Sequence, residues 1–123
     1  QDLFLRAADQ VENAAKGTME LLSDPRKIKA KQIFSVRIQS LRWESLLVEW
    51  LGEILYYFSV KKVGFSKFKI NSLEHFTLEA SLWGEKLKRK QHPIYREIKA
   101  ATYHNLKINR KNGNYSAEII FDI

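Results

Sequence analysis

Apolar positions along the chain change their spacing several times, and each change marks an element. Asp2–Ala7 is a short, mostly apolar run that reads as a strand. From about Asp9 to Leu22 the spacing becomes helical, with Val11, Ala14, Ala15, Thr18, Met19 and Leu22 on one stripe. Ser23-Asp24-Pro25 closes that helix, because the residue before a proline is pushed out of helical backbone. After a basic linker, Arg26–Lys31, Phe34, Val36 and Ile38 alternate with polar neighbours as a strand does. Trp43, Leu46, Leu47, Trp50, Leu51, Ile54, Leu55 and Phe58 then recur three and four apart, predicting a strongly amphipathic helix with both tryptophans in the core.

Beyond Val60 every segment reads as strand or turn. Phe65–Ile70 and Phe76–Trp83 alternate between turn residues, and Gly84–Pro93 reads as a polar, basic loop. Tyr95–Asn109 alternates again, placing Ile98, Ala100, Thr102, His104, Leu106 and Ile108 on one side. Its length calls for a bulge or bend. Asn112-Gly113 is a strong hairpin signal, since both turn positions tolerate positive φ. The last strand sets Tyr115, Ala117, Ile119 and Phe121 on one face. Two early helices followed by hairpin strands predict an α+β, two-layer sandwich, with a mostly antiparallel sheet and both helices packed on one face.

Composition narrows the function more by exclusion than by indication. The chain's 123 residues fit one domain, 1–123, and contain no cysteine, which removes disulfides, thiolate zinc sites and cysteine catalysis. The most apolar stretch, Trp43–Val60, is interrupted by Glu44, Glu49 and Glu53, so no membrane span is expected. Gln1–Arg6 lacks the basic and apolar regions of a signal peptide, and a cytoplasmic protein is expected, or a nuclear one in a eukaryote.

Charge is unevenly distributed. Residues 1–60 hold eight Lys/Arg and eight Asp/Glu, whereas residues 61–123 hold thirteen against six, so the whole formal excess of +7 lies in the second half. That suits an anionic partner such as RNA or an acidic protein face, although lysines also serve to block edge-to-edge strand pairing.

Enzyme equipment is missing from the sequence pattern. The five glycines never cluster into a phosphate loop, and histidines 75, 92 and 104 lack close metal-site spacing. There is no Gly-x-Ser-x-Gly elbow, and no aromatic-rich RNA-binding strand signature. The residues alone therefore support a basic α+β domain, with a small basic RNA-binding module as one reading and a metal-dependent hydrolase as a weaker one.

Three stretches carry a resemblance. They are Ser45-Leu46-Leu47-Val48-Glu49-Trp50-Leu51-Gly52-Glu53-Ile54-Leu55-Tyr56, Glu97-Ile98-Lys99-Ala100-Ala101-Thr102-Tyr103-His104, and the tail Ile119-Ile120-Phe121-Asp122-Ile123. In this order they resemble the archease family, as do Glu12–Gly17 and Ser23-Asp24-Pro25. The resemblance implies a non-catalytic accessory protein that promotes guanylylation and multiple turnover of the 3′-phosphate tRNA-splicing RNA ligase, with RNA met through that ligase. Some members are viewed as general, chaperone-like modulators of nucleic-acid-processing proteins.

The resemblance also implies a divalent cation, calcium in the family, held by Asp2, Asp122 and Ile123. Hard cations take oxygen donors, which a carboxylate beside a chain-terminal carboxyl supplies. Asp2-Leu3-Phe4-Leu5-Arg6-Ala7 aligns with the family's first strand from its aspartate onward, without the His-Thr-Ala that precedes it there. Asp2 reaches the tail if that strand pairs beside the last. Lys99 is expected opposite the apolar series, positioned for a nucleotide phosphate or an acidic ligase surface. Tyr103 and His104 carry the family pattern beside it, His104 as a hydrogen-bonded structural residue.

Overall fold

The computed structural model describes the backbone of residues 2–111 and 114–123, and the side chains of 7–102 and 119–123. The chain begins with one long helix, α1 (Asp2–Leu22), not with a strand. The physical reason lies in residues 2–10, which contain no β-branched side chain and no Gly or Pro to interrupt the pattern. Leucines and alanines favour helix, and Ala7, Ala8, Val11, Ala15, Met19 and Leu22 form one continuous buried stripe.

Pro25 stops α1 as expected and opens a short 3-10 turn, Pro25–Lys27, capped by the Asp24 side chain. Strand β1 (Gln32–Gln39) follows, then α2 (Trp43–Tyr56) and a π-helical turn, Tyr57–Lys61. Helix α2 buries Leu46, Trp50, Leu51, Ile54 and Leu55, as the spacing predicted, together with Val48; Phe58 is buried in the π turn. Lys62 leaves the π turn in left-handed backbone, φ 58°, which turns the chain into β2 (Val63–Glu74).

β3 (Thr77–Lys86) runs beyond the expected Trp83, because Gly84 and Glu85 continue its pairing with Phe65 and Gly64. The irregular loop is thus 87–99, and β4 (Ala100–Lys111) starts later than Tyr95. β5 (Asn114–Asp122) returns antiparallel to it. The Asn112-Gly113 turn itself lies outside the described residues. A register shift between Thr102 and Lys107 supplies the irregularity that the length of this segment demanded.

The strands form two antiparallel sheets, not one: a three-stranded sheet in the order β1-β3-β2 and a two-stranded ribbon, β4-β5. The α+β class holds. Val36, Ile38, Phe68, Ile70, Leu78, Ala80 and Leu82 bury one face of the larger sheet in a core shared with α1 and α2. Trp50 seals this junction. It is fully buried, its indole Nε1–H donates to the Val11 carbonyl at 3.0 Å, and its ring meets Phe68 edge-on at 6.2 Å. The ribbon packs on the helices, β4 against α2 and β5 against α1.

Candidate functional site

The ribbon's open end gathers the residues on which the family resemblance rests. Ala101 pairs with Phe121 and faces the core, whereas Ala100 pairs with Asp122 and faces outward. Ile119 and Phe121 are half-buried against the core, while Ile120, Asp122 and Ile123 are exposed, so this end of β5 alternates as expected; the side chains of Tyr115 and Ala117 lie outside the described residues. The Thr102 hydroxyl donates to the Ile120 carbonyl at 2.8 Å. One step before β4, the Lys99 N–H donates to the Asp122 carbonyl at 2.6 Å.

Lys99 and Asp122 are therefore neighbours at a solvent-facing strand end, with Ile123 beside them. The expected alternation fails in one respect. Ile98 is buried but Ala100 is exposed and Ala101 buried, because Ile98 and Lys99 precede the strand and do not share its two-residue period. Tyr103 and His104 follow in β4, and their side chains lie outside the described residues. Asp2 opens α1, and the larger sheet and the ribbon contain no strand from the N-terminal segment, so pairing beside β5 does not bring it there.

The donor chemistry at this end suits a hard cation in kind. A carboxylate and the oxygens of Ile123 are oxygen ligands, and nothing bulky covers them. Among the described residues no three Asp, Glu or His side chains converge as a metal site, and the Asp2 side chain lies outside those residues. The Asp122 carbonyl is also already engaged by Lys99.

A second polar cluster was not visible in the sequence pattern. Glu85 is buried, its Oε2 accepting from the Lys29 N–H at 2.7 Å and lying 2.9 Å from His92 Nε2. Lys31 Nζ approaches Oε1 at 3.5 Å. His92 Nδ1 accepts from the Lys88 N–H at 2.8 Å, which leaves Nε2 to carry the hydrogen shared with Glu85. The Lys29 N–H holds the Glu85 carboxyl below its ordinary range against the opposing effect of burial, with His92 and Lys31 adding to the lowering. This cluster ties loop 87–93 and the linker at Lys29 to the end of β3, and its partners fill it, so it is structural. Glu85 gave no signal in the sequence, because an acidic residue is ordinary in the polar loop that Gly84–Pro93 reads as; only the extension of β3 makes it a buried acid.

The Ser23-Asp24-Pro25 turn after α1 is likewise occupied. Asp24 accepts from the Arg26 N–H at 3.1 Å, and from its guanidinium Nε at 3.0 Å and Nη2 at 3.1 Å. That pairing holds the Asp24 carboxyl below its usual range. Ser23 Oγ donates to Pro93 O at 2.5 Å and the Tyr95 N–H to Leu22 O at 2.9 Å, so the loop before the ribbon is anchored on the end of α1.

Comparison with known proteins decides the family. The model of the archease protein family matches residues 6–123. The chain belongs to the archease family. Archease of Sulfurisphaera tokodaii is 36% identical over 113 residues, spanning 91% of this chain and 81% of that protein. Archease of Methanosarcina mazei is 35% identical over 116 residues, spanning 91% and 80%.

The solution structure of protein 1598 of Methanobacterium thermoautotrophicum superposes with a TM-score of 0.70 at 28% identity, covering 94% of this chain and 84% of that one. The crystal structure of a Thermotoga maritima archease, described as a possible chaperone, shares the fold with a TM-score of 0.61 at 19% identity, covering 92% and 80%. The archease match contains Lys99, Tyr103, His104, Asp122 and Ile123 and begins after Asp2. Among the described residues, no helix is long and apolar enough to cross a membrane.

Proposed function

We propose that this archease is a non-catalytic partner of a tRNA-splicing RNA ligase, promoting its guanylylation and multiple turnover from the open end of the β4-β5 ribbon. The observation that carries the reading is the juxtaposition of Lys99 and Asp122, held by the 2.6 Å main-chain bond within the family-matched region. It sets one cation and one anion on an exposed strand end, where a second protein can reach both.

Lys99 meets a nucleotide phosphate or an acidic surface of the ligase. Asp122 and the oxygens of Ile123 would hold a divalent cation, calcium in the family's manner. Bound there, the cation would screen the negative charge where protein, nucleotide and RNA meet. Tyr103 and His104 lie further along β4 in this reading, and RNA comes to this end of the ribbon through the ligase. The resemblance adds Asp2 as a third ligand, which would come from the start of α1 and not from a strand beside β5. The protein works in the compartment where the ligase works, the cytoplasm or, in a eukaryote, the nucleus.

Transfer of labelled guanylate from GTP to the ligase tests this directly. Wild-type protein accelerates labelling, and Asp122→Ala and Lys99→Ala do not. Equal acceleration by wild type and both variants removes the ribbon end from the mechanism. No acceleration by wild type removes the ligase reading itself.

A further inference from the structure

The larger sheet has a second face, turned away from the helices, and its composition is unlike the first. Three rows cross it. Ile33, Trp83 and Lys67 form one row, Ser35, Ser81 and Lys69 the next, and Arg37, Glu79 and Ser72 the third, each row set by the strand register. Ile33 is 60% exposed, Lys67, Lys69 and Arg37 are exposed, and Trp83 is half-buried. Lys67 Nζ stands over the Trp83 ring, 4.6 Å from its centroid.

Small polar groups fill the remainder. Asn71 Nδ2 donates to Ser81 Oγ at 2.8 Å and Ser72 Oγ to Glu79 Oε2 at 2.9 Å. Three basic residues against one acidic residue leave these rows at a formal +2. Arg37 and Glu79 meet at 3.7 Å as an exposed pair, which water screens.

We propose that this outer face is a platform for single-stranded nucleic acid. A base stacks on Trp83, and Lys67, Lys69 and Arg37 meet the backbone phosphates. A half-buried indole under a movable lysine on an open sheet offers the two components of sequence-tolerant single-strand binding, an aromatic surface and a positive track. Lys67 moves from the indole to a phosphate on its flexible four-carbon stem, exchanging one attraction for another and uncovering the ring. A protein partner fits this surface less well, because lysine and serine are depleted in protein–protein interfaces and here surround the one aromatic ring. A duplex fits less well because its bases are not free to stack on Trp83.

This inference is independent of the ligase reading, and its binding test uses no ligase. Fluorescence anisotropy with a short labelled oligouridylate measures affinity against salt, with duplex RNA of equal length as comparison. Trp83→Leu weakens binding about tenfold, as expected for a lost base–aromatic stack. Lys67→Gln/Lys69→Gln reduces the slope of log affinity against log salt by about 1.4, roughly 0.7 for each phosphate contact to a single strand. Lys88→Gln/Lys90→Gln, the same charge change on the 87–93 loop, leaves the slope near that of wild type. Circular dichroism and the melting temperature confirm that each variant is folded.

Unchanged affinity in Trp83→Leu and unchanged slope in Lys67→Gln/Lys69→Gln overturn the proposal. So does equal loss in the Lys88→Gln/Lys90→Gln control, or equal affinity for duplex. If the variants of this face abolish guanylylation of the ligase but leave RNA affinity intact, the face docks protein and the proposal falls.

Discussion

The Lys99 amide and the Asp122 carbonyl meet at 2.6 Å, joining the last residue of the long loop to the end of the last strand. The bond extends the β4-β5 ladder by one step beyond the Ala100–Asp122 pair. It leaves both side chains in solvent, so main chain fixes the geometry while side chains remain free to act.

Asp122→Ala should therefore separate function from stability. An exposed substitution away from packing, caps and buried polar networks changes stability by within about 0.5 kcal/mol. Activation of the ligase is expected to fall to the level without the protein. A melting temperature well below wild type would show that the carboxylate is structural.

Trp50 is the opposite case. Trp50→Ala removes a fully buried ring between α1, α2 and β2 and is expected to cost about 3–5 kcal/mol in denaturant unfolding. Trp50→Phe keeps much of the apolar volume but deletes the donor to Val11 O, at about 1–3 kcal/mol. If Trp50→Phe costs as much as Trp50→Ala, the lost hydrogen bond to Val11 outweighs the packing of the ring.

How much of this was legible in the sequence depended on the range of the interactions. The spacing of Trp43–Phe58 specified α2 because a helix's period is local, and the alternations at Phe34–Ile38 and Ile119–Phe121 did the same for strands. Asp2–Ala7 misled because six residues are too few to separate an apolar strand from the first turns of a helix. Only the tertiary stripe from Ala7 to Leu22 resolves it.

The turn between β2 and β3 was only loosely bounded, since His75 and Phe76 take φ of 51° and 56° without a glycine. Phe76 is braced edge-on against Trp43 at 5.6 Å, a contact no local rule contains. The division into two sheets and the Glu85–His92 pair are tertiary facts too. At the candidate site, the motif residues around Lys99 and Asp122 were readable, whereas the neighbourhood of Asp2 rested on a strand that does not form.

Glu85 predicts the acid limb of the stability profile. Its carboxyl is held below the ordinary range in the folded protein, so the stabilisation is complete above the unfolded value, about 4.3. It is lost as pH falls through the lower folded value. Glu85→Gln should therefore be less stable than wild type near neutrality and lose less on acidification. Melting temperatures of both proteins between about pH 3 and pH 7 check this, and parallel curves would contradict it.

Two glycines should respond in opposite directions to alanine. At Gly84 a Cβ would lie 1.9 Å from the Gly64 carbonyl oxygen across the β2-β3 pair, so main chain must move. Gly84→Ala is expected to cost more than the roughly 1–3 kcal/mol of ordinary overpacking. At Gly17, inside α1, nothing lies within 4 Å of the added carbon. Gly17→Ala should stabilise by about 0.5–1 kcal/mol through helix propensity alone. Denaturation midpoints distinguish the two.

The most direct test of the ligase assignment is ligation under multiple turnover, with RNA in large excess over a tRNA-splicing ligase, with and without this archease. With it, product should accumulate well beyond one equivalent of ligase, and Asp122→Ala should return the reaction to a single-turnover burst. Ligase that cycles equally well without the protein would contradict the account.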